Sequence, residues 1–410
     1  MPRAAGYVQD IVEAMSIKYN NRVYEKKQRG EDVIRLSFGE AYFDIPLFPF
    51  DDLPMPGLYH YSHSRGIPEL RALLAEYYQT RFGVPVNPDT EIVVTAGSKI
   101  ALHMSFMAIL EPGDEVLIHE PAWVSYPEQV RLCHGVPVRL PYDTAIPEYR
   151  EFITERTRAI VVNNPNNPTG RLITAAEWRE LHSLAAQHDL YIVSDEAYSD
   201  YVLEPADFIS AALYDPAKTH TVVCNTLSKN YGMSGWRIGY VFTNAALLQQ
   251  ILKLNQHLVT CPATVLEMYV VRHFHEVLGI TAPQIRDVVV KRQEVARILD
   301  ELGLTYLPGE GTFYLFVSIG ESALGSEEFC ERLLDERGVS TVPGIGYGDS
   351  CDGFIRISVG AEEMDRIRTG LEHVAELIRE TAAAGGRGPG PAARHAEGVR
   401  PRLARLTRLG

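Results

Sequence analysis

Cysteine is scarce and unpatterned in this chain. Its five cysteines, Cys133, Cys224, Cys261, Cys330 and Cys351, are odd in number and far apart, with no CxxC spacing. Neither a disulfide framework nor a metal site is indicated, and a reducing cytoplasm fits. Long apolar runs are missing too. No stretch reaches the roughly 18 uninterrupted apolar residues that a membrane span needs. The opening MPRAAGYVQDIVEAM has no apolar core of signal-peptide length, so export is not expected. Net positive charge is absent: 39 Lys and Arg stand against 53 Asp and Glu, a formal charge of -14. Such a surface repels phosphate backbones, which argues against a nucleic-acid partner. These absences leave small molecules as the expected partners.

What is present reads as an ordinary globular enzyme body. The 410 residues are 46% hydrophobic and 22% charged, usage typical of soluble domains, and long enough for about two domains with a catalytic cleft. Through the middle, short β-rich apolar runs alternate with helical stretches, the pattern of a mostly parallel sheet covered by helices. EIVVTAG, DEVLIHEP, AIVVNNP, LYIVSDEAY, HTVVCNTLSK and WRIGYVFT are the expected strands. A helical pattern from about Gln284 to Leu302 leads into GTFYLFVSI and GFIRISVG, strands with one helix between them and another behind, which read as a smaller α+β domain. A helix near Ile11 to Arg29 and a strand at Val33 to Ser37 are expected to pack onto it. The expected division is therefore an N-terminal segment 1–45, a large domain 46–283, a small domain 284–381 and a tail 382–410. That tail, rich in Gly, Pro, Ala and Arg with no apolar face, is expected to be disordered. GIGYGDS near Gly344 does not lie between a strand and a helix of a βαβ unit, so it is expected to be a loop.

In open α/β sheets ligands bind at the carboxyl ends of the strands, and five strand ends carry chemistry. In TLSKNYGMSGWRIGY, Lys229 follows a strand and Arg237 comes eight residues later. Taken alone, such a lysine is an ordinary surface residue. Beside its neighbours it suits an aldehyde cofactor, which needs an amine for a Schiff base, while Arg237, Thr226 and Ser228 supply a cation and donors for a phosphate. LYIVSDEAYSDY puts Asp195 and Tyr198 past a strand end. A buried carboxylate there keeps the ring nitrogen of an electron-sink cofactor protonated. Tyr198, and Asn167 in the turn NNPNNPTG, can donate to its phenolic oxygen. In VTAGSKIALHMSF the amides of Gly97 and Ser98 open a helix, an anion-binding geometry. Trp123 in EPAWVSYPE can stack on a cofactor ring, although an aromatic core residue is the blander explanation.

NPNNPTG, SDEAY, SKNYGMSGWRIGY and the arginine strand FIRISVG together resemble the aspartate-aminotransferase-like, fold-type I pyridoxal-phosphate enzymes, over roughly Val12 to Glu380. The resemblance implies an aminotransferase with pyridoxal 5'-phosphate on Lys229, which also transfers the proton, and a homodimer in which Tyr61 reaches the neighbouring subunit's phosphate. It implies that Arg356 and the Gly39 amide bind the substrate α-carboxylate. VTAGSKIAL and AWVSYPE are most similar to the bacterial aspartate aminotransferase branch, where Lys99 and Ser16 fall at positions facing the distal carboxylate of acidic substrates; the blander place for Lys99 is a solvated helix surface. Some stretches depart from the family pattern. Gly39-Glu40 is followed by Ala41 rather than proline, then Tyr42 and Phe43; Ile45 replaces a small polar residue, and LFPFDDLPMPGLYH is Pro-rich. These departures sit at the expected active-site entrance. Elimination, replacement or cyclisation at an amino acid would use the same residues and stands as the alternative. A regulator on the same fold would need a helix-turn-helix module, for which there is no room before Ile11.

Overall fold

The computed structural model describes residues 2–382 of the chain, so the expected tail lies outside the described residues. After a helix at Met15–Gln28 come twelve strands: β1 Ile34–Arg35, β2 Ile92–Thr95, β3 Glu115–His119, β4 Val136–Leu140, β5 Thr157–Asn163, β6 Tyr191–Asp195, β7 Thr221–Thr226, β8 Gly239–Phe242, β9 Tyr314–Ser318, β10 Val339–Ser340, β11 Val342–Pro343 and β12 Phe354–Ser358. Seven form one sheet in the order β2-β8-β7-β6-β5-β3-β4. Only β8 runs antiparallel to its neighbours. This is the α/β fold of a large, mostly parallel sheet.

Its strands are buried on both faces, which is why they read as nearly continuous apolar runs. Val93, Val116, Val161, Val193 and Val222 on one face pack with the helices Ser98–Ile109 and Ala245–Leu258. Their sequence neighbours point the other way, as a period of two requires. Of these, Val94, Val223 and Phe242 meet the helix Pro68–Phe82, and Ile160 and Ile192 meet the helix Ala175–His188. That last helix begins on a capping box, with Thr174 Oγ1 accepting from the Glu177 amide and the Glu177 carboxylate accepting from the Thr174 amide.

β9, β12 and β11 make a second, antiparallel sheet, and β1 pairs in parallel with β10. Tyr19, Val23 and Leu36 share a hydrophobic cluster with Leu315, Ile355, Leu371 and Val374, so the N-terminal segment is packed on the C-terminal elements.

Three elements differ from the sequence reading. β4 was not expected because Pro137 interrupts it; it lies at the sheet edge, where a missing N–H is tolerated. The strand near Val33 shrinks to two residues. The long helix spans Thr264–Glu301 rather than starting near Gln284, with non-helical geometry only at His273. It passes Gly279 and Pro283 because one face stays buried throughout, at Val270, Phe274, Val277, Thr281, Ile285 and Val289. Packing of a continuous stripe outweighs the local cost of proline.

Candidate active site

The carboxyl ends of β2, β5, β6 and β7 open on one cavity of about 410 Å³. Ser16, Gly39, Ser98, Lys99, Trp123, Asn167, Asp195, Tyr198, Thr226, Ser228, Lys229, Arg237 and Arg356 all line it. Gly97 adjoins it through Arg237. Tyr61 is not among the lining residues of its own chain and is 85% exposed.

One end of the cavity is built to take an anion. Thr95 and Thr226 both pair with Gly239, which brings the turn after β2 beside the turn after β7. A Cβ at Gly239 would stand 2.4 Å from the Ser98 amide nitrogen, and one at Gly97 (φ +84°) 2.3 Å from a guanidinium nitrogen of Arg237. Only glycine at these two positions lets the helix start and the arginine close together. The Thr226 hydroxyl accepts from the Ser228 amide at 3.1 Å. Arg237 donates to Ser228 Oγ at 3.3 Å and to the Ser234 carbonyl at 2.8 Å. A helix N-terminus, two hydroxyls and an arginine thus converge.

Asp195 ends β6, beside Asn163 of β5 and Cys224 of β7. It is 6% exposed. Its oxygens accept from Tyr126 Oη at 2.7 Å and from the Ala197 amide at 3.1 Å. Loss of water pushes its carboxyl above the usual range, opposed by Tyr126, the Ala197 amide and the Lys229 charge. Lys229 Nζ donates to the Gly39 carbonyl and lies 5.3 Å from the Tyr198 ring centroid. Burial pushes the amine down to about 8, Arg356 and Arg237 push the same way, and Glu40 and Asp195 oppose. An amine held near neutrality is available as a nucleophile or a base.

At the far end lies Arg356 on β12, 2% exposed. One guanidinium nitrogen donates to the Ser37 carbonyl at 2.6 Å and another to Asn167 Oδ1 at 3.3 Å. Nε has no partner. The guanidinium sits 4.4 Å from the Tyr314 ring centroid, and Tyr314 Oη is 2.9 Å from Tyr198 Oη. A buried cation with an open N–H is costly unless an anion completes it. Lys99, in the first turn of its helix, places its ammonium 5.0 Å from the Trp123 ring centroid. It keeps much of its surface exposed, yet desolvation first and Arg237 second depress its pKa. It lines the cavity while remaining open to solvent. Trp123 stands edge-on to Tyr126, 5.2 Å between ring centroids.

Several residues of the site escaped the sequence reading. Tyr126 reaches Asp195 across 69 positions, and Tyr314 reaches Tyr198 across 116; no local pattern marks such contacts. Asn163 ties the turn after β5 to the end of β6 by accepting from the Asn167 amide at 2.6 Å and donating to the Asp195 carbonyl at 2.9 Å. The repeated asparagines of NNPNN were its one visible signal.

Comparison with known proteins gives a consistent result. The family model for aminotransferase class I and II matches residues 32–374. An aspartate aminotransferase of Pyrococcus abyssi is 32% identical over 362 residues, 85% of this chain and 92% of that protein. Aromatic-amino-acid aminotransferase 2 of Thermococcus litoralis is 30% identical over 382 residues, 90% of this chain and 98% of that one. The solved structure of the Thermus thermophilus aspartate aminotransferase with maleate superposes with a TM-score of 0.84 at 33% identity, covering 92% of this chain and all of that one.

Proposed function

The chain belongs to the class I and II aminotransferases, and on that footing we propose that Lys229 carries its pyridoxal 5'-phosphate and that acidic amino acids are its favoured donors. The family works with this cofactor, which supplies, when bound, an aldehyde that takes up amines and a protonated ring that draws electrons from the substrate α-carbon. The residues present fit it. Gly97, Ser98, Thr226, Ser228 and Arg237 would hold the phosphate, Asp195 the ring nitrogen, and Asn167 and Tyr198 the phenolic oxygen, with Trp123 beside the ring. Arg356 and the Gly39 amide hold the substrate α-carboxylate. When its amine is free, Lys229 Nζ would accept the proton from the substrate α-carbon and hand it to the cofactor's former aldehyde carbon, which leaves the substrate at the level of a 2-oxo acid. Elimination or cyclisation would draw on the same residues, and the relatives compared above, named as aminotransferases, favour transfer.

The substrate reading rests on Lys99. Arg356 already accounts for one carboxylate, and a second cation facing the same cavity without a carboxylate partner suits a second one. Ser16 lines the same cavity. A second reading is an aromatic donor: Tyr24, Phe38 and Trp123 also line the cavity, and one relative is named for aromatic amino acids. Aspartate, glutamate and phenylalanine compared on wild type and Lys99→Ala separate them. We expect the specificity constant for the acidic pair to fall at least tenfold, about 1.4 kcal/mol, and that for phenylalanine to hold. An unchanged acidic constant assigns Lys99 no part in recognition.

We further propose a cytoplasmic homodimer of amino-acid metabolism. Tyr61 stands on a fixed loop, with the Ser62 hydroxyl donating to Glu267 at 2.8 Å and Thr264 to the His60 carbonyl at 3.0 Å. An exposed tyrosine held this firmly suits delivery to a second copy's phosphate. Five free cysteines, four of them buried, suit a reducing compartment.

A further inference from the structure

The segment from Gly39 to Ile45 crosses the turn that carries Lys229 and is fastened along its length. The Tyr42 amide donates to the Gly360 carbonyl at 3.2 Å. The Asp44 amide donates to Gln284 Oε1 at 2.8 Å, and Gln284 Nε2 returns a bond to the Asp44 carbonyl at 3.0 Å. Phe43 and Ile45 lie over Gly232, where an added Cβ would stand 2.7 Å from the Phe43 ring. At the cavity wall, Gly39 accepts from Lys229 Nζ. The next residue, Glu40, accepts from Ser234 Oγ at 2.6 Å, five positions past the lysine. The carboxylate is thus pinned to the lysine's own turn.

Arg356, Arg237 and Lys99 are the cations that share the cavity with Lys229, and Glu40 and Asp195 the anions. The rings of Tyr198 and Phe313 complete its walls, 5.3 and 5.7 Å from Nζ. Asp195 is engaged by Tyr126 and the Ala197 amide and, in the proposed function on which this inference rests, by the ring nitrogen. Glu40 is then the carboxylate left to balance a Lys229 ammonium between two arginines. Nζ donates to the Gly39 carbonyl rather than to Glu40, so the effect is through space. We propose that Glu40 is a positioning residue whose charge sustains the proton affinity of Lys229 Nζ whenever that lysine is not covalently engaged.

Acetic anhydride labelling of the cofactor-free full chain across a pH series, read at Lys229 by peptide mass spectrometry, gives the midpoint of the amine directly. Glu40→Gln keeps an acceptor for Ser234 and removes the charge, and should lower the midpoint by about one pH unit. Ser234→Ala keeps the charge and should leave it near wild type. In the loaded enzyme, Glu40→Gln should lower kcat with little change in KM. A Glu40→Gln midpoint equal to wild type overturns the proposal; if that variant does not fold, Glu40→Ala reads the same loss of charge and decides equally. A cofactor trapped on a different lysine would instead overturn the functional reading, which the cofactor-free midpoint does not measure.

Discussion

Asp195 sits where loss of water disfavours its charge, and the groups that oppose that push set the scale of what substitutions should do. Asp195→Asn removes the group proposed to face the ring nitrogen, and turnover should fall by at least 100-fold, about 2.7 kcal/mol or more, with cofactor still bound. Near-normal single-turnover rates would place Asp195 elsewhere. Tyr126→Phe removes only one of its donors. About a tenfold loss is expected, near 1.4 kcal/mol, in the range of one hydrogen bond to a charged group. Of these two residues, Asp195 was legible in the sequence because a strand end announces itself by its apolar run and the small or polar residues after it. Tyr126 was not, because its bond is made by the fold. The same holds for Tyr314 over Arg356. Lys99 is intermediate: its position in the helix was legible, but its approach to Trp123 depends on the angle between that helix and the turn after β3.

At the scale of elements, the site depends on two turns being pressed together at Gly239. Gly239→Ala would drive a methyl into the Ser98 amide and the Gly97 backbone, separating the helix start from Arg237. The expected result is a folded protein whose cofactor dissociation constant rises tenfold or more, measured by equilibrium titration with pyridoxal phosphate; an unaltered constant would remove the helix start from the phosphate site. The other six strands of the large sheet were legible because burial on both faces makes them continuous apolar runs. β4 was hidden by its proline, and the first half of the long helix by Gly279 and Pro283. In both cases a local propensity was overruled by a neighbour the sequence does not place: the sheet edge for β4, the stripe from Val270 to Val289 for the helix.

For the whole molecule, the cavity gathers residues from the N-terminal segment, the large sheet and β12, so its completeness depends on how the two sheets are packed. The proposed second copy adds Tyr61. Analytical ultracentrifugation at assay concentration should show a dimer, and Tyr61→Phe should weaken cofactor retention without dissociating it; a fully active monomer would exclude the shared site.

The proposed chemistry turns on the identity of one lysine. Borohydride reduction of the loaded enzyme, followed by digestion and peptide mass spectrometry, locates the cofactor directly. The account expects a single pyridoxyl group per chain, on Lys229, and none in Lys229→Ala. A pyridoxyl group on Lys99 or any other lysine in the wild-type protein would contradict it.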